Sequence, residues 1–174
     1  MTHIIALATQ SDSAIEALLD AAFGPDRFKR TAYAIRRGME PLRHLSFAAL
    51  DTDGTLSGLL QSWPVALRDH SGKECPLVMV GPVAVLPALQ QSGIGKLLMQ
   101  RLMAEARQQQ SDPLMMIGDP EYYGRFFGFS AAETGGWKAP GPVEPHRLLA
   151  QSVDGSPLPP TGTLGPRTGL SRVA

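Results

Sequence analysis

An apolar run, Leu77-Val78-Met79-Val80-Gly81-Pro82-Val83-Ala84-Val85-Leu86, leads through Gln90-Gln91-Ser92-Gly93-Ile94-Gly95-Lys96 into a helix-patterned segment, Ile94 to Arg107. A chain that passes from a strand through a Gly-containing loop into a helix aims several backbone N–H groups at one place. The helix N-terminus adds partial positive charge there. Such a turn can hold a phosphate or pyrophosphate, so the chain reads as an α/β protein that binds a phosphorylated cofactor.

At 174 residues the chain reads as one domain. Net charge is zero and no Lys/Arg block stands out, which argues against nucleic acid as a partner. No apolar run reaches spanning length, and the N-terminus lacks a basic segment followed by an apolar one. A soluble, cytoplasmic protein is expected. The single Cys75 cannot form an internal disulfide, which fits a reducing compartment. It opens a strand pattern with no Cys–His pair in view, and reads as a buried or strand-edge thiol.

Helices and strands alternate along the chain. His3 to Thr9 reads as a first strand, and Ser13-x-x-Glu16 as a capping box for a helix carrying Ile15, Leu18, Leu19 and Ala22. Gly24-Pro25 ends that helix. Phe28, Ala32, Ile35 and Met39 predict a second short helix, with Lys29, Arg30, Arg36 and Arg37 off its apolar stripe, read as a solvated face with contact to a cofactor phosphate as the alternative. His44 to Asp51 and Leu56 to Leu67 read as a hairpin turning at Thr52-Asp53-Gly54, with Trp63-Pro64 marking a bend or an edge. Pro76 to Leu86 is a fourth strand, and Gly81-Pro82 in its middle predicts a bulge or broken pairing.

Ile94, Leu97, Leu98 and Leu102, with Met99, Met103 and Ala106, give the next helix a wide apolar face. Leu114 to Ile117 is a fifth strand, stopped by Gly118-Asp119-Pro120, and Glu121 to Phe127 a short helix or turn. Phe129 to Glu133 and His146 to Val153 read as strands. The domain is expected to cover residues 1–153. Residues 154–174, rich in Pro and Gly, are expected to form a loosely packed tail.

Three phosphate-loop patterns compete. A Walker loop needs Gly five residues before Gly95 and Ser/Thr after Lys96, where Gln90 and Leu97 stand. A dinucleotide fingerprint needs a third Gly where Leu98 stands, and normally follows the first strand. The pattern Gln/Arg-x-x-Gly-x-Gly/Ala after a Val-rich strand is matched by Gln90-Gln91-Ser92-Gly93-Ile94-Gly95 at every fixed position. With the downstream run Gly118-Asp119-Pro120-Glu121-Tyr122-Tyr123-Gly124-Arg125-Phe126-Phe127-Gly128-Phe129, the chain resembles the GNAT superfamily of acyl-CoA-dependent N-acetyltransferases, and within it the YhbS-like group.

The resemblance implies a GNAT fold: a central mixed, mostly antiparallel sheet splayed between strands 4 and 5, with helices on both faces. It implies acetyl-CoA as co-substrate, with no metal, and transfer of the acetyl group to a primary amine by direct attack in a ternary complex. By resemblance, Val83, Ala84 and Val85 would meet the pantetheine arm, and Gln90, Gln91, Ser92, Gly93, Ile94, Gly95 and Lys96 the pyrophosphate. A Tyr would protonate the leaving thiolate: Tyr123, or its neighbour Tyr122. Family spacing puts that Tyr four residues before the Gly of Gly-Phe, whereas Tyr123 lies five before Gly128.

Many family members carry a basic Glu where Met79 stands here. Glu74 and His70, upstream, are the alternatives. Arg30, Tyr33, Arg36, Arg37 and Trp63 would line the acceptor pocket. The implied partner is a small-molecule or peptide amine, with a homodimer left open. A non-catalytic acyl-CoA sensor on the same fold and a nucleotide-binding α/β protein stand as alternatives.

Overall fold

Strand β3 (Leu56–Arg68) organises the sheet in this computed structural model, which describes residues 1–169. Its first half pairs antiparallel with β2 (Phe47–Leu50), which pairs with β1 (His3–Ala6). Its last four residues pair instead with β8 (Thr161–Pro166), and β6 (Gly136–Lys138) runs parallel to β8. Along the other edge of β3 lies β4 (Glu74–Val85), followed by β5 (Leu114–Ile117), parallel to β4, and β7 (Leu148–Gln151), antiparallel to β5. The main path is β1-β2-β3-β4-β5-β7, a mixed and mostly antiparallel sheet.

Pro64 falls where β3 changes neighbours. Pairing with β2 ends at Leu60 and pairing with β8 begins at Val65, so the missing proline N–H removes no ladder bond on that edge. Gly81-Pro82 produces the break expected of it. Leu60 opposes Val83 and Ser62 opposes Val80, so two β4 residues face the single Gln61. The extra residue shifts the alternation of side chains. Val78 and Val80 join Val83 and Val85 on one face, while Leu77, Met79 and Ala84 face the other.

The first face packs against α3 (Ile94–Gln109), through Ile94, Leu98, Met99, Leu102, Met103 and Ala106. The opposite face carries α1 (Asp12–Phe23), through Ile15, Leu18 and Leu19, and α2 (Thr31–Ile35), through Ile35. Helix α4 (Pro120–Phe127) leads off the end of β5. It stops at Gly128, where φ is 80° and the Phe129 N–H reaches back to the Tyr123 carbonyl at 3.2 Å. Among the described residues, no helix is long and apolar enough to cross a membrane.

Several expectations need correction. The N-cap of α1 is Ser11, whose hydroxyl accepts from the Ala14 N–H at 3.2 Å, and Ser13 lies inside the helix. The predicted helix through Phe28 and Met39 divides into a 3-10 turn, Pro25–Lys29, and the short α2, and Phe28 is exposed. Leu97 is exposed because it falls outside the buried stripe of α3. Residues 129–133 contribute only a bridge, Ser130 to Ala150.

The Pro/Gly-rich segment is not loose where it is described. Thr161–Pro166 completes the sheet because the second half of β3 has no other partner on that edge, and Leu164 is buried there. Residues 170–174 of the expected tail lie outside the described residues.

Gly58 on β3 lets α3 settle on the sheet. A Cβ there would stand 2.8 Å from the Ile94 side chain and 3.0 Å from the Ala84 carbonyl oxygen, which is backbone and cannot turn away. Gly58→Ala is expected to cost about 1–3 kcal/mol, read as a lowered urea midpoint with an unchanged slope.

Candidate functional site

The site begins where β4 and β5 part. Their pairing covers only Val78–Leu114 and Met79–Met115, with the Val78 N–H donating to the Pro113 carbonyl at 2.8 Å. Side-chain face and main-chain direction alternate together along a strand. Val80, Val83 and Val85 share the face of Val78, so their N–H groups point to the side that β5 has left. Ala84 is turned the other way: its side chain is buried against α1, and it opposes Leu59 on β3. Of the three residues expected at the pantetheine arm, Val83 and Val85 therefore offer main chain to the gap and Ala84 does not.

A cavity of about 1010 Å³ opens at this parting. Its walls are Met79 to Val83 on β4, Met116 to Asp119 at the end of β5, Tyr123 on α4, Arg30 to Tyr33 and Arg36 at α2, and the loop Pro142 to Pro145 with Arg147. The Thr31 hydroxyl donates to the Pro142 carbonyl at 2.6 Å and ties that loop to α2.

The turn into α3 stands beside the gap. An added Cβ on Gly95 would lie 3.9 Å from both Val83 and Val85, so the first turn of the helix rests on the open edge of β4. Gly93 is the N-cap at φ 91° and Gln91 has φ 69°, which turns the backbone inward over the loop. Among the described residues no side chain caps this helix. The first intrahelical bond runs from the Leu97 N–H to the Gly93 carbonyl at 3.0 Å, which leaves the N–H groups of Ile94, Gly95 and Lys96 without a partner on the helix. Those donors fit a pyrophosphate. Gln90, Gln91, Ser92 and Lys96 are exposed around them, whereas the Ile94 side chain is buried in the core. The Lys96 ammonium sits 4.5 Å from the centre of the Phe126 ring, linking α3 to α4.

The two tyrosines face different surroundings. Tyr123 lines the cavity, its ring against Gly118, where an added Cβ would come within 2.8 Å. Burial pushes its hydroxyl up to about 12, the charges of Tyr122 and Asp119 add to the rise, and Arg147 opposes them. Tyr122 packs among Tyr123, Phe126 and Phe127 and is absent from the cavity wall. Asp119 caps α4 by accepting from the Glu121 N–H at 3.0 Å, which holds the helix and its Tyr at the end of β5.

Arginines dominate the α2 side. Arg27 is 3% exposed and bonds to Glu16, to Asp20 at 3.0 Å and to the Tyr33 hydroxyl at 2.7 Å. Arg36 is also buried, with its guanidinium carbon 4.1 Å from the Tyr33 ring centre and 3.9 Å from that of Trp63. It donates to the Gly81 carbonyl at 3.3 Å, and Trp63 Nε1 donates to the same oxygen at 2.8 Å. The carbonyl at the bulge thus has two side-chain donors. Arg30 stacks over Phe23 beside the cavity. Arg37 and Trp63 line a smaller cavity of about 250 Å³, which shares Arg27, Tyr33 and Arg36 with the larger one.

Arg27 was not among the expected site residues, because nothing in the sequence distinguishes a buried arginine from an exposed one. Gly118 and Pro142 were missed as well, although Pro140-Gly141-Pro142 already marked a loop.

Neither upstream base candidate reaches the cavity. Glu74 is buried at the far end of β4, bonded to Arg68 and to the Thr168 N–H, and His70 lies in an exposed turn. The carboxylates on the cavity wall are Asp119 and Glu144. Cys75 is half-buried, and burial raises its thiol pKa. Among the described residues no cluster of His, Cys, Asp and Glu could hold a metal ion.

The acetyltransferase (GNAT) family model matches residues 13–129. No curated protein matches the chain in sequence. Among solved structures, the chain resembles a GNAT family N-acetyltransferase (YhbS) from Escherichia coli in complex with CoA. The identity is 20%, the TM-score 0.69, and the match covers 100% of this chain and 93% of that one. A GNAT family acetyltransferase from Brucella melitensis in complex with acetyl-CoA is 26% identical, with 97% of each chain covered and a TM-score of 0.65. The ribosomal-protein-S18-alanine N-acetyltransferase from Escherichia coli is 17% identical, with 86% and 90% covered and a TM-score of 0.53.

Gly118→Ala places a methyl group inside the contact distance of the Tyr123 ring. It is expected to displace that ring, changing the near-ultraviolet circular dichroism and costing about 1–3 kcal/mol in stability. An unchanged spectrum and melting curve would show that the ring is not held by this contact.

Proposed function

The chain belongs to the acetyltransferase (GNAT) family, and we propose that it is an N-acetyltransferase that moves the acetyl group of acetyl-CoA to a primary amine by direct attack in a ternary complex. One observation carries this reading: the unpaired edge of β4 from Val80 to Val85 runs into the uncapped N-terminus of α3, with Tyr123 across the gap. An extended, amide-bearing arm ending in a pyrophosphate suits that combination of strand edge and helix N-terminus. The two similar structures that hold CoA and acetyl-CoA support the same co-substrate. No metal enters the proposal. The catalytic domain, expected to end at residue 153, is taken to extend through β8, which completes its sheet, and a reduced Cys75 suits a cytoplasmic enzyme. The acceptor is a small-molecule or peptide amine, and a homodimer is compatible with the reading.

Acetyl-CoA supplies an activated acyl group as a thioester. The residues of this chain orient it and manage charge and protons. Main-chain groups of Val83 and Val85 meet the amides of the arm, and the N–H groups of Ile94, Gly95 and Lys96 at the start of α3 meet the pyrophosphate. An N–H on the open β4 edge stabilises the charge that develops on the carbonyl oxygen. Tyr123 gives its proton to the departing sulfur. Its raised pKa keeps it protonated through the pH range in which the amine becomes neutral. Met79 is buried where a basic Glu would stand, so the amine loses its proton to water or to a cavity carboxylate. The same Met79 favours the second reading, an acyl-CoA sensor without catalysis. Release of thiol from acetyl-CoA with an amine panel separates the two.

Calorimetric titration of acetyl-CoA into wild type, Gly93→Ala and Gly93→Glu tests the loop. Alanine adds only the strain of a positive φ, about 1 kcal/mol. Glutamate adds bulk and negative charge, and is expected to weaken binding by about 100-fold more than alanine does. Equal affinity of the two variants would remove the loop from the binding site. Tyr123→Phe is expected to lower kcat by about 100-fold or more with acetyl-CoA affinity unchanged, while Tyr122→Phe stays within about two-fold. In wild type, kcat should rise as the amine deprotonates and hold a plateau to about pH 10, since the donor titrates later still. A falling limb near neutral pH would exclude Tyr123 as the acid.

A further inference from the structure

We propose that Arg36 binds a carboxylate carried by the amine acceptor, so that the acceptor is an amino acid or another amine bearing a carboxylate. The proposal rests on the acetyltransferase reading for the identity of the ligand, and on the Arg36 site for its chemistry. Arg36 is 6% exposed, lines the cavity, and among the described residues has no carboxylate within ion-pair distance. A cation removed from water without an anion beside it is costly.

The neighbours of Arg36 do not meet that need. Glu16 acts on it favourably from a distance, but it is already paired with Arg27, and the Arg27 charge opposes Arg36. Tyr33 also acts favourably on Arg36, but its hydroxyl is neutral and already accepts from Arg27 at 2.7 Å. The Gly81 carbonyl is a neutral acceptor shared with Trp63. Burial accordingly lowers the Arg36 pKa to about 10.

The shape of the site selects the anion. Tyr33 and Trp63 each pack about 4 Å from the guanidinium carbon, which restrains the group and limits the directions left for a ligand. Two parallel N–H donors in one plane match a flat carboxylate. Arg36 also bonds to Gly81, at the β4 bulge where the strand edge opens. A carboxylate held there leaves the amine of the same molecule within the cavity that Tyr123 faces.

Two experiments test the site, one of them independent of acetyl transfer. Of the two tryptophans, Trp63 touches Arg36, so a Trp137→Phe background makes tryptophan fluorescence report on the site. Titrated in the presence of CoA, 3-phenylpropionate is expected to give a saturable change and 3-phenylpropionamide none, with the response absent in Arg36→Gln. No response to 3-phenylpropionate, or equal responses to acid and amide, overturns the proposal without the use of any Arg36 variant.

The second experiment compares L-phenylalanine, L-phenylalaninamide and 2-phenylethylamine as acceptors. Wild type should favour the acid over the amide by at least about 50-fold in kcat/KM. Arg36→Gln should abolish that preference, the acid losing at least about 50-fold more than the amide and chiefly through KM. Arg36→Lys, which keeps the charge but loses the fork, should fall between them. Equal losses for acid and amide would reduce Arg36 to a structural role. Fluorescence that distinguishes acid from amide with no thiol release for any amine would retain the carboxylate site and reject acetyl transfer.

Discussion

Two paired positions between β4 and β5, and no more, hold the two halves of the sheet together at the site. Beyond Met79 the strands diverge for local reasons on each side. On β4, Gly81-Pro82 inserts an extra residue opposite Gln61 and bends the strand. On β5, Gly118 donates to the Arg147 carbonyl at 3.0 Å, so the chain leaves toward β7 and its preceding loop rather than along β4. The gap between them exposes a strand edge within the protein, where an unpaired edge is otherwise a liability. The cavity, the position of Tyr123 and the access to the α3 turn all follow from this separation.

Charge is managed differently on the two sides of the gap. At α3 the donors are backbone N–H groups, left unused by a helix whose N-cap is glycine. At α2 they are arginine side chains held in place by aromatic rings. Arg27 and Arg36 are both buried, yet Arg27 has two carboxylates and a hydroxyl while Arg36 has two rings and a carbonyl. Stacking of this kind is worth about 0.5–2 kcal/mol per ring. It offsets part of the cost of burying the charge without neutralising it.

The elements best read from the sequence were those governed by contacts within a few residues. The Leu114–Ile117 strand, the α3 stripe and the break at Gly81-Pro82 each follow from local periodicity or from proline and glycine chemistry. The cap of α1 shows how narrow the margin is. Ser11 and Ser13 both offer a hydroxyl, and the competing helix starts differ by two residues, with the Ala14 N–H going to Ser11. Thr161–Pro166 misled for a different reason. Its composition is that of a loop, but β3 runs eight residues past the end of β2 pairing, and the last four supply the hydrogen bonds that the segment lacks by itself.

The sequence by itself determined the order of helices and strands as far as α4, the turn from β4 into α3 and the family, because spacing, capping and glycine conformation act over short distances along the chain. The tertiary structure decided which tyrosine faces the cavity, which arginines are buried and which of them has no carboxylate within ion-pair distance among the described residues. Those outcomes depend on contacts between distant segments, such as Arg36 with Gly81, 45 residues apart, and Thr31 with Pro142, 111 apart. A side chain's charge is written in the sequence. Whether water, an aspartate or an aromatic ring surrounds that charge is settled only when those segments pack.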